Sequence, residues 1–253
     1  MIGASEAGRA CDGITAFVRS VLDASHRSGM AVGMSGGLDS SVTGALREMG
    51  VYDFVLSRVP GEILRAGVVR AAYGLTRLLM NVEPLTESMR GSDNAVISQC
   101  AAHFKARHRM RMVFLYFRAE RMNLMVAGAA NRTEVLTGIY SRFGVDDCAD
   151  IMPVGGLLRT EVLRLAEHLD VPAYIRSKTP APGIIPGVTD KYRYLLGLDS
   201  HVLDEMLEAL DSGAAPADVA AGTGVDIGDV ERVVAAMAAA RAMRAVPPVP
   251  GCA

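Results

Sequence analysis

Ser35-Gly-Gly-Leu-Asp-Ser-Ser41 stands between a short apolar run, Met30 to Met34, and a helix-compatible stretch, Val42 to Met49. That order places it at a strand-to-helix turn, where backbone N–H groups point outward and the helix N-terminus carries partial positive charge. Gly36 and Gly37 let the backbone approach an anion without Cβ clashes. Ser35, Ser40 and Ser41 offer hydroxyls, and Asp39 offers oxygen ligands to a hard cation. The plainer alternative is a Gly-rich turn whose Asp and Ser only start a helix. No Gly-Lys-Ser/Thr follows and the glycines are not spaced Gly-x-Gly-x-x-Gly, so neither common nucleotide fingerprint is present. A phosphate-like anion is expected at this turn.

Outward from the turn, helices and strands alternate. Apolar periodicity and breakers predict helices at 12–28, 39–49, 63–80, 94–121 and 157–169. Strands are predicted at 30–34, 54–58, 82–85, 123–128 and 173–175. Strands separated by helices pair in parallel, so the expected fold class is α/β, a doubly wound parallel sheet flanked by helices. Ligands of such sheets bind at the carboxyl ends of the strands, which is where Ser35 to Ser41 lies. Pro180, Pro182 and Pro186, with Gly183 and Gly187, make 178–188 a loop. Helices are expected at 199–210, 215–221 and 230–243, ended by Pro247, Pro248 and Pro250. Residues 1–198 are therefore read as an α/β domain and 199–253 as a helical C-terminal extension packed on it.

With 253 residues, 50% hydrophobic and 21% charged, the chain can bury a large core. No apolar run is long enough to cross a bilayer, and the N-terminus lacks the charged-then-apolar order of a signal peptide, so the cytoplasm is expected. Cys11, Cys100, Cys148 and Cys252 are scattered without zinc-ligand spacing, which suits free thiols. A net charge of −2 gives no overall pull toward nucleic acid or an anionic membrane. Lys105, Arg107, His108, Arg109, Arg111, Arg118 and Arg121 form a local basic cluster, either a solvated helix face or an anion or subunit contact.

Further motifs narrow the chemistry. The opening turn resembles the pyrophosphate loop of the ATP pyrophosphatases. Val126-Ala-Gly-Ala-Ala-Asn-Arg-Thr-Glu134, Gly138-Ile-Tyr-Ser-Arg-Phe-Gly144 and Asp150-Ile-Met-Pro-Val-Gly-Gly-Leu-Leu-Arg-Thr160 resemble the ammonia-dependent NAD synthetases within that group. Lys178-Thr-Pro-Ala-Pro-Gly-Ile-Ile-Pro-Gly-Val-Thr-Asp190 and Arg111-Met-Val-Phe-Leu-Tyr116 continue the likeness. It implies an adenine nucleotide alpha-hydrolase-like fold, ATP and Mg²⁺ as cofactors, and a homodimer. It also implies an amide synthetase, in which a small-molecule carboxylate is adenylated with release of pyrophosphate and ammonia displaces AMP. Ser35, Gly36, Gly37, Ser40, Ser41, Arg159 and Thr160 would bind ATP and pyrophosphate, and Asp39 and Glu134 would hold the metal. Asp39, Arg142 and Asp190 would be catalytic, Asp190 by taking a proton from ammonium. The plainer roles are a helix cap for Asp39, a surface acid for Glu134 and a helix start for Asp190.

Arg142 and Arg159 stand where the family has lysines. Ala181, Lys191, Ala242 and Met243 replace a serine, an acid, a histidine and a lysine of the family pattern. The last two would remove cationic contacts to a dinucleotide pyrophosphate, which weighs against nicotinic acid adenine dinucleotide and leaves two readings, a divergent NAD synthetase or a specialised relative acting on another carboxylic acid. No glutaminase module is visible, so ammonia is free or delivered by a separate glutaminase. The alternative is sulfur or amine transfer by the same adenylation chemistry, in specialised metabolism through Cys148 or in RNA modification. An RNA partner is disfavoured by the charge balance.

Overall fold

The computed structural model describes residues 4–46, 51–54, 94–181 and 188–244. Its centre is a parallel sheet of β1 (Gly29–Gly33), β2 (Val51–Phe54) and β3 (Leu124–Ala127), in the order β2-β1-β3. Met30 pairs with Val51 on one side of β1 and with Met125 on the other. A further parallel bridge joins Ala127 to Ile151, extending the pairing beyond β3.

Strand alternation sends side chains to opposite faces, and each face has its own helical cover. Met30, Val32, Met125 and Ala127 pack with Val18 and Leu22 of α1 (Ala4–Ser25). Ala31, Leu124 and Val126 pack with Leu115 and Ala119 of α3 (Asn94–Met122). Between them in the chain, α2 (Leu38–Ala45) packs Leu38 and Val42 against Val162, Leu165 and Ala166. Those three residues belong to α5 (Arg159–His168). Helices on both faces of a parallel sheet make this a doubly wound α/β fold, as the alternation predicts.

A separate apolar cluster holds the C-terminal helices. α7 (Lys191–Leu196), α8 (Ser200–Asp211), α9 (Pro216–Thr223) and α10 (Ile227–Arg244) converge on Leu203, Met206, Leu207, Val230 and Val233. Leu136, from α4 (Arg132–Thr137), and Leu158 insert into the same cluster. The C-terminal helices therefore grip α4 and the entrance to α5.

Several boundaries differ from the expectations. Residues 173–175 are not a strand but part of a short helix, α6 (Ala173–Arg176), entered through Pro172. Pro172 fixes a φ of −50° and leaves its carbonyl to accept from Ile175 N–H at 2.8 Å, which starts a helical turn. The first helix begins at Ala4, eight residues before the predicted start, and closes where His26 takes a φ of 55°. The second strand is described over Val51–Phe54, which shares only Phe54 with the predicted 54–58, and 55–58 lie outside the described residues. The predicted helix at 63–80 and strand at 82–85 lie outside the described residues, as does most of the loop at 178–188.

Candidate active site

The turn after β1 is built largely from its own hydroxyls. Ser35 and Ser40 Oγ atoms are 2.9 Å apart, Ser35 N–H donates to Ser40 Oγ at 3.2 Å, and Gly37 N–H donates to Ser35 Oγ at 3.2 Å. Gly36 has a φ of 74°, a left-handed conformation that glycine adopts without strain, and a Cβ built there would meet nothing. Gly37 is the N-cap of α2 and brings no side-chain cap, so the helix start is left to an incoming acceptor. Ser41 N–H is already spent on Gly37 carbonyl at 3.1 Å, which removes it from that set. Lys178 Nζ reaches Gly36 carbonyl at 2.9 Å and brings a positive charge to the rim.

Asp39 lies in the first turn of α2 and is not its cap. Its Oδ2 accepts from Arg159 Nη1 at 3.0 Å, and its Oδ1 accepts from Asn131 Nδ2 at 2.9 Å. Arg159 comes from the start of α5, 120 residues further along the chain. The pair is partly buried, where a charge-assisted bond is stronger than in water.

Asn131 and Glu134 close the start of α4 as a capping box. Glu134 N–H donates to Asn131 Oδ1 at 3.0 Å, and Asn131 N–H donates to Glu134 Oε2 at 3.2 Å. The remaining Glu134 oxygen, Oε1, accepts from Lys191 Nζ. Glu134 is buried rather than a surface acid. Burial raises its pKa above the usual carboxylate range; Lys191 opposes that rise and nearby Asp39 adds to it.

Asp204 of α8 ties the starts of α4 and α5 together. Fully buried, it accepts from Thr133 Oγ1, and its Oδ2 accepts from Thr160 N–H at 2.7 Å. Thr133 Oγ1 in turn accepts from Arg159 N–H at 2.9 Å. Arg159 is thus aimed at Asp39 by a chain of bonds anchored in the C-terminal helices. Asp190 caps α7, its Oδ1 accepting from Tyr192 and Arg193 N–H at 2.8 and 3.1 Å, so the helix-start role is present. The same cap fixes the neighbouring Lys191.

Beside this cluster lies a cavity of about 250 Å³ lined by Ala130, Tyr140, Asp146, Ala149, Met152 and Arg244, among others. Asp146 Oδ1 holds its wall by accepting from Ala129 and Ala130 N–H at 2.7 and 3.0 Å, while burial pushes its pKa up. Met243 packs over the turn at Gly138, where a Cβ would lie 3.6 Å from its Cε. The described contacts of Arg142 are stacking on Phe143 at 4.7 Å and a carbonyl bond from Arg109 Nε at 3.2 Å, not contacts with the Asp39 group. Cys148 is a free thiol whose pKa burial pushes up, with Asp147 adding, which disfavours the thiolate that sulfur transfer needs.

Asp39, Arg159, Glu134 and the Ser35–Ser40 turn thus gather at one end of the sheet, with Thr160 bound beside Arg159 and Asp190 one residue from Lys191. Asn131, which bridges the two acids, lies within the Val126–Glu134 motif but is assigned no role by it, and Asp204, which aims Arg159, carries no sequence signal of a site role. Lys178 has only its place at the head of a Pro-rich loop.

An uncapped helix start with paired acids and a basic rim, at the carboxyl end of a doubly wound sheet, defines a nucleotide-dependent enzyme of the ATP pyrophosphatase type. The NAD synthase family model matches residues 10–247, and the chain belongs to that family. An NH(3)-dependent NAD(+) synthetase of Methanosarcina acetivorans is 30% identical over 247 residues, covering 94% of this chain and 95% of that protein. One from Coprothermobacter proteolyticus is 34% identical over 182 residues, 71% of this chain and 60% of that protein. Among solved structures, the NMN synthetase of Francisella tularensis aligns over the whole of both chains, with a TM-score of 0.69 and 22% identity. Family membership makes the chain an AMP-forming ligase of C–N bonds, using ATP and Mg²⁺ for the ammonia-dependent amidation of a carboxylate.

Oxygen-only donors suit Mg²⁺ in kind. Yet both oxygens of Asp39 and both of Glu134 already accept from protein donors, and among the described residues no three acidic, His or Cys side chains gather to hold an ion. Glu134 as arranged does not fit a metal.

Proposed function

We propose that the acid activated here is smaller or less anionic than nicotinic acid adenine dinucleotide, and that it docks its carboxylate in the cavity between Asp146 and Arg244. Met243 supports this: it packs over Gly138 as an apolar side chain instead of offering charge to a pyrophosphate. A solved structure of similar fold is that of an NMN synthetase, which makes a mononucleotide acid the first candidate to try.

In the reaction, a carboxylate oxygen attacks the α-phosphorus of ATP. The bond to the β-phosphate bridging oxygen breaks, and pyrophosphate leaves with that electron pair. Ammonia then attacks the acyl carbon, the acyl–oxygen bond breaks, and AMP departs. Gly36 and Gly37 backbone, with the Ser35 and Ser40 hydroxyls, would receive the pyrophosphate at the open start of α2. Arg159, held by Asp39, and Lys178 would face its charge. Bound with ATP, Mg²⁺ supplies further neutralisation of the phosphates. Asp190 would take the ammonium proton through its carboxylate.

We further propose a homodimer, for which the half-exposed Val113 on α3 offers contact area while Phe114 is spent on the core. Among the described residues no helix is long and apolar enough to cross a membrane, and a cytoplasmic site is the setting we propose. Pyrophosphate release would be measured with ATP, Mg²⁺, ammonium and a panel containing nicotinic acid mononucleotide, the dinucleotide and simple aromatic acids. Turnover of the mononucleotide or a smaller acid is expected. Strong turnover of the dinucleotide alone would overturn the substrate proposal, and light scattering of the same sample would decide the dimer.

A further inference from the structure

The two acids at the centre of the site are not equivalent, because the cations that hold them differ in kind. Arg159 approaches Asp39 as one arm of a planar guanidinium, leaving the carboxylate about a fifth exposed. Lys191 approaches Glu134 as a compact ammonium, and the side chains of the pair are only 15% and 11% exposed. An ammonium is a point charge with three donors, close in size and field to a small hydrated cation. The other Glu134 oxygen is held by Asn131 N–H. Lys191 is also fixed from behind: its N–H donates to Pro180 carbonyl at 3.0 Å, Asp190 caps its helix, and its Nζ lies 5.1 Å from the Tyr192 ring centre.

We propose that Lys191 is a resident cation standing on Glu134 in the position a divalent ion would take, so that this chain carries no divalent ion on Glu134. The proposal deepens the adenylation reading and rests on it for its purpose: the charge that would balance Glu134 comes from the chain itself. Mg²⁺ dehydrates reluctantly and would have to approach Glu134 against a tethered positive charge, in a place where Asn131 already holds the second oxygen. Lys191 needs no capture from solution, since α7 delivers it. Any divalent ion in the site is then carried by ATP, and Glu134 serves as the anchor of Lys191 and the cap of α4.

Manganese binding tests this without substrate or turnover, so its failure is separable from failure of the proposed reaction. Mn²⁺ would be titrated into nucleotide-free protein and followed by the electron paramagnetic resonance of the free ion. Wild type and Lys191→Arg are expected to show no site tighter than about 1 mM. Lys191→Gln is expected to gain one site at least ~10-fold tighter, and Glu134→Gln added to it should abolish that site. A wild-type site lost on Glu134→Gln alone would overturn the proposal, as would a folded Lys191→Gln protein that gains nothing. Were Lys191→Gln to misfold, wild type against Glu134→Gln would still decide, since the proposal requires the two to match.

Discussion

The starts of α2 and α4 share one backbone geometry and use it in opposite ways. Both follow a buried parallel strand, and their N-cap residues, Gly37 and Asn131, have the same φ and ψ of −85° and 169°. At α4 the side chains complete the turn: Asn131 and Glu134 satisfy each other's N–H groups, and Asp204 and Lys191 lock the turn from α8 and α7. At α2 no side chain caps the helix, and Gly36 lies exposed with open space where a Cβ would be. One helix start is finished by protein, and the other awaits an anion. An adenylating site needs both, a receptive turn and a rigid neighbour that aims charge at it.

The sharpest way to break the contrast is Asp39→Asn, which keeps the shape but removes the charge that orients Arg159. Pyrophosphate release should fall by about 100-fold or more with little change in melting temperature, since the loss is felt at the reacting phosphates. Asp204→Ala attacks the closed turn instead. It leaves the Thr133 hydroxyl and the Thr160 N–H without their acceptor in a buried place, costing about 2–3 kcal/mol by denaturant unfolding. Gly36→Val puts a branched side chain on a φ of 74°, worth about 1–2 kcal/mol of strain. Its decisive readout is weaker ATP binding by calorimetry, because the open turn should suffer more in ligand affinity than in fold. Asn131→Ala removes one cap and should cost about 1 kcal/mol, seen as a small drop in melting temperature.

The smallest effect is on pH. Burial raises the pKa of Asp146 and of Asp204 in the folded state. A folded pKa above the unfolded value means the folded chain holds its proton longer. Their contribution to stability is full below the ordinary carboxylate pKa of about 4 and is lost as pH rises through the raised values. Asp146→Asn should flatten that decline in urea melts taken across mildly acidic pH; an unchanged slope would count against it.

The open turn was legible in sequence down to its hydroxyls, whereas the closed one was legible only as a motif and not as a set of bonds, for physical reasons. Ser35 to Ser41 announces itself because Gly-Gly and three serines after an apolar strand have few other uses at a helix start. α4 has six residues, too few to show a helical period. The bonds that aim Arg159 and hold Glu134 join residues 120 and 57 apart, and periodicity carries no information at such distances. Asp204 sits among Leu203, Met206 and Leu207 on an amphipathic helix, where an acid reads as solvent-facing although it is fully buried. Ala173 to Ile175 misled because a short apolar run after proline suits a strand as well as one helical turn, and Tyr174 turns out 68% exposed.

Asp204 also sets a clock. A chain emerging from the ribosome displays Ser35 to Ser41 well before Asp204. Arg159 has no fixed aim until Asp204 has been made and α8 has docked on Thr133 and Thr160. Chains that stop short of α8 therefore lack the bonds that aim Arg159, whatever the state of the receptive turn.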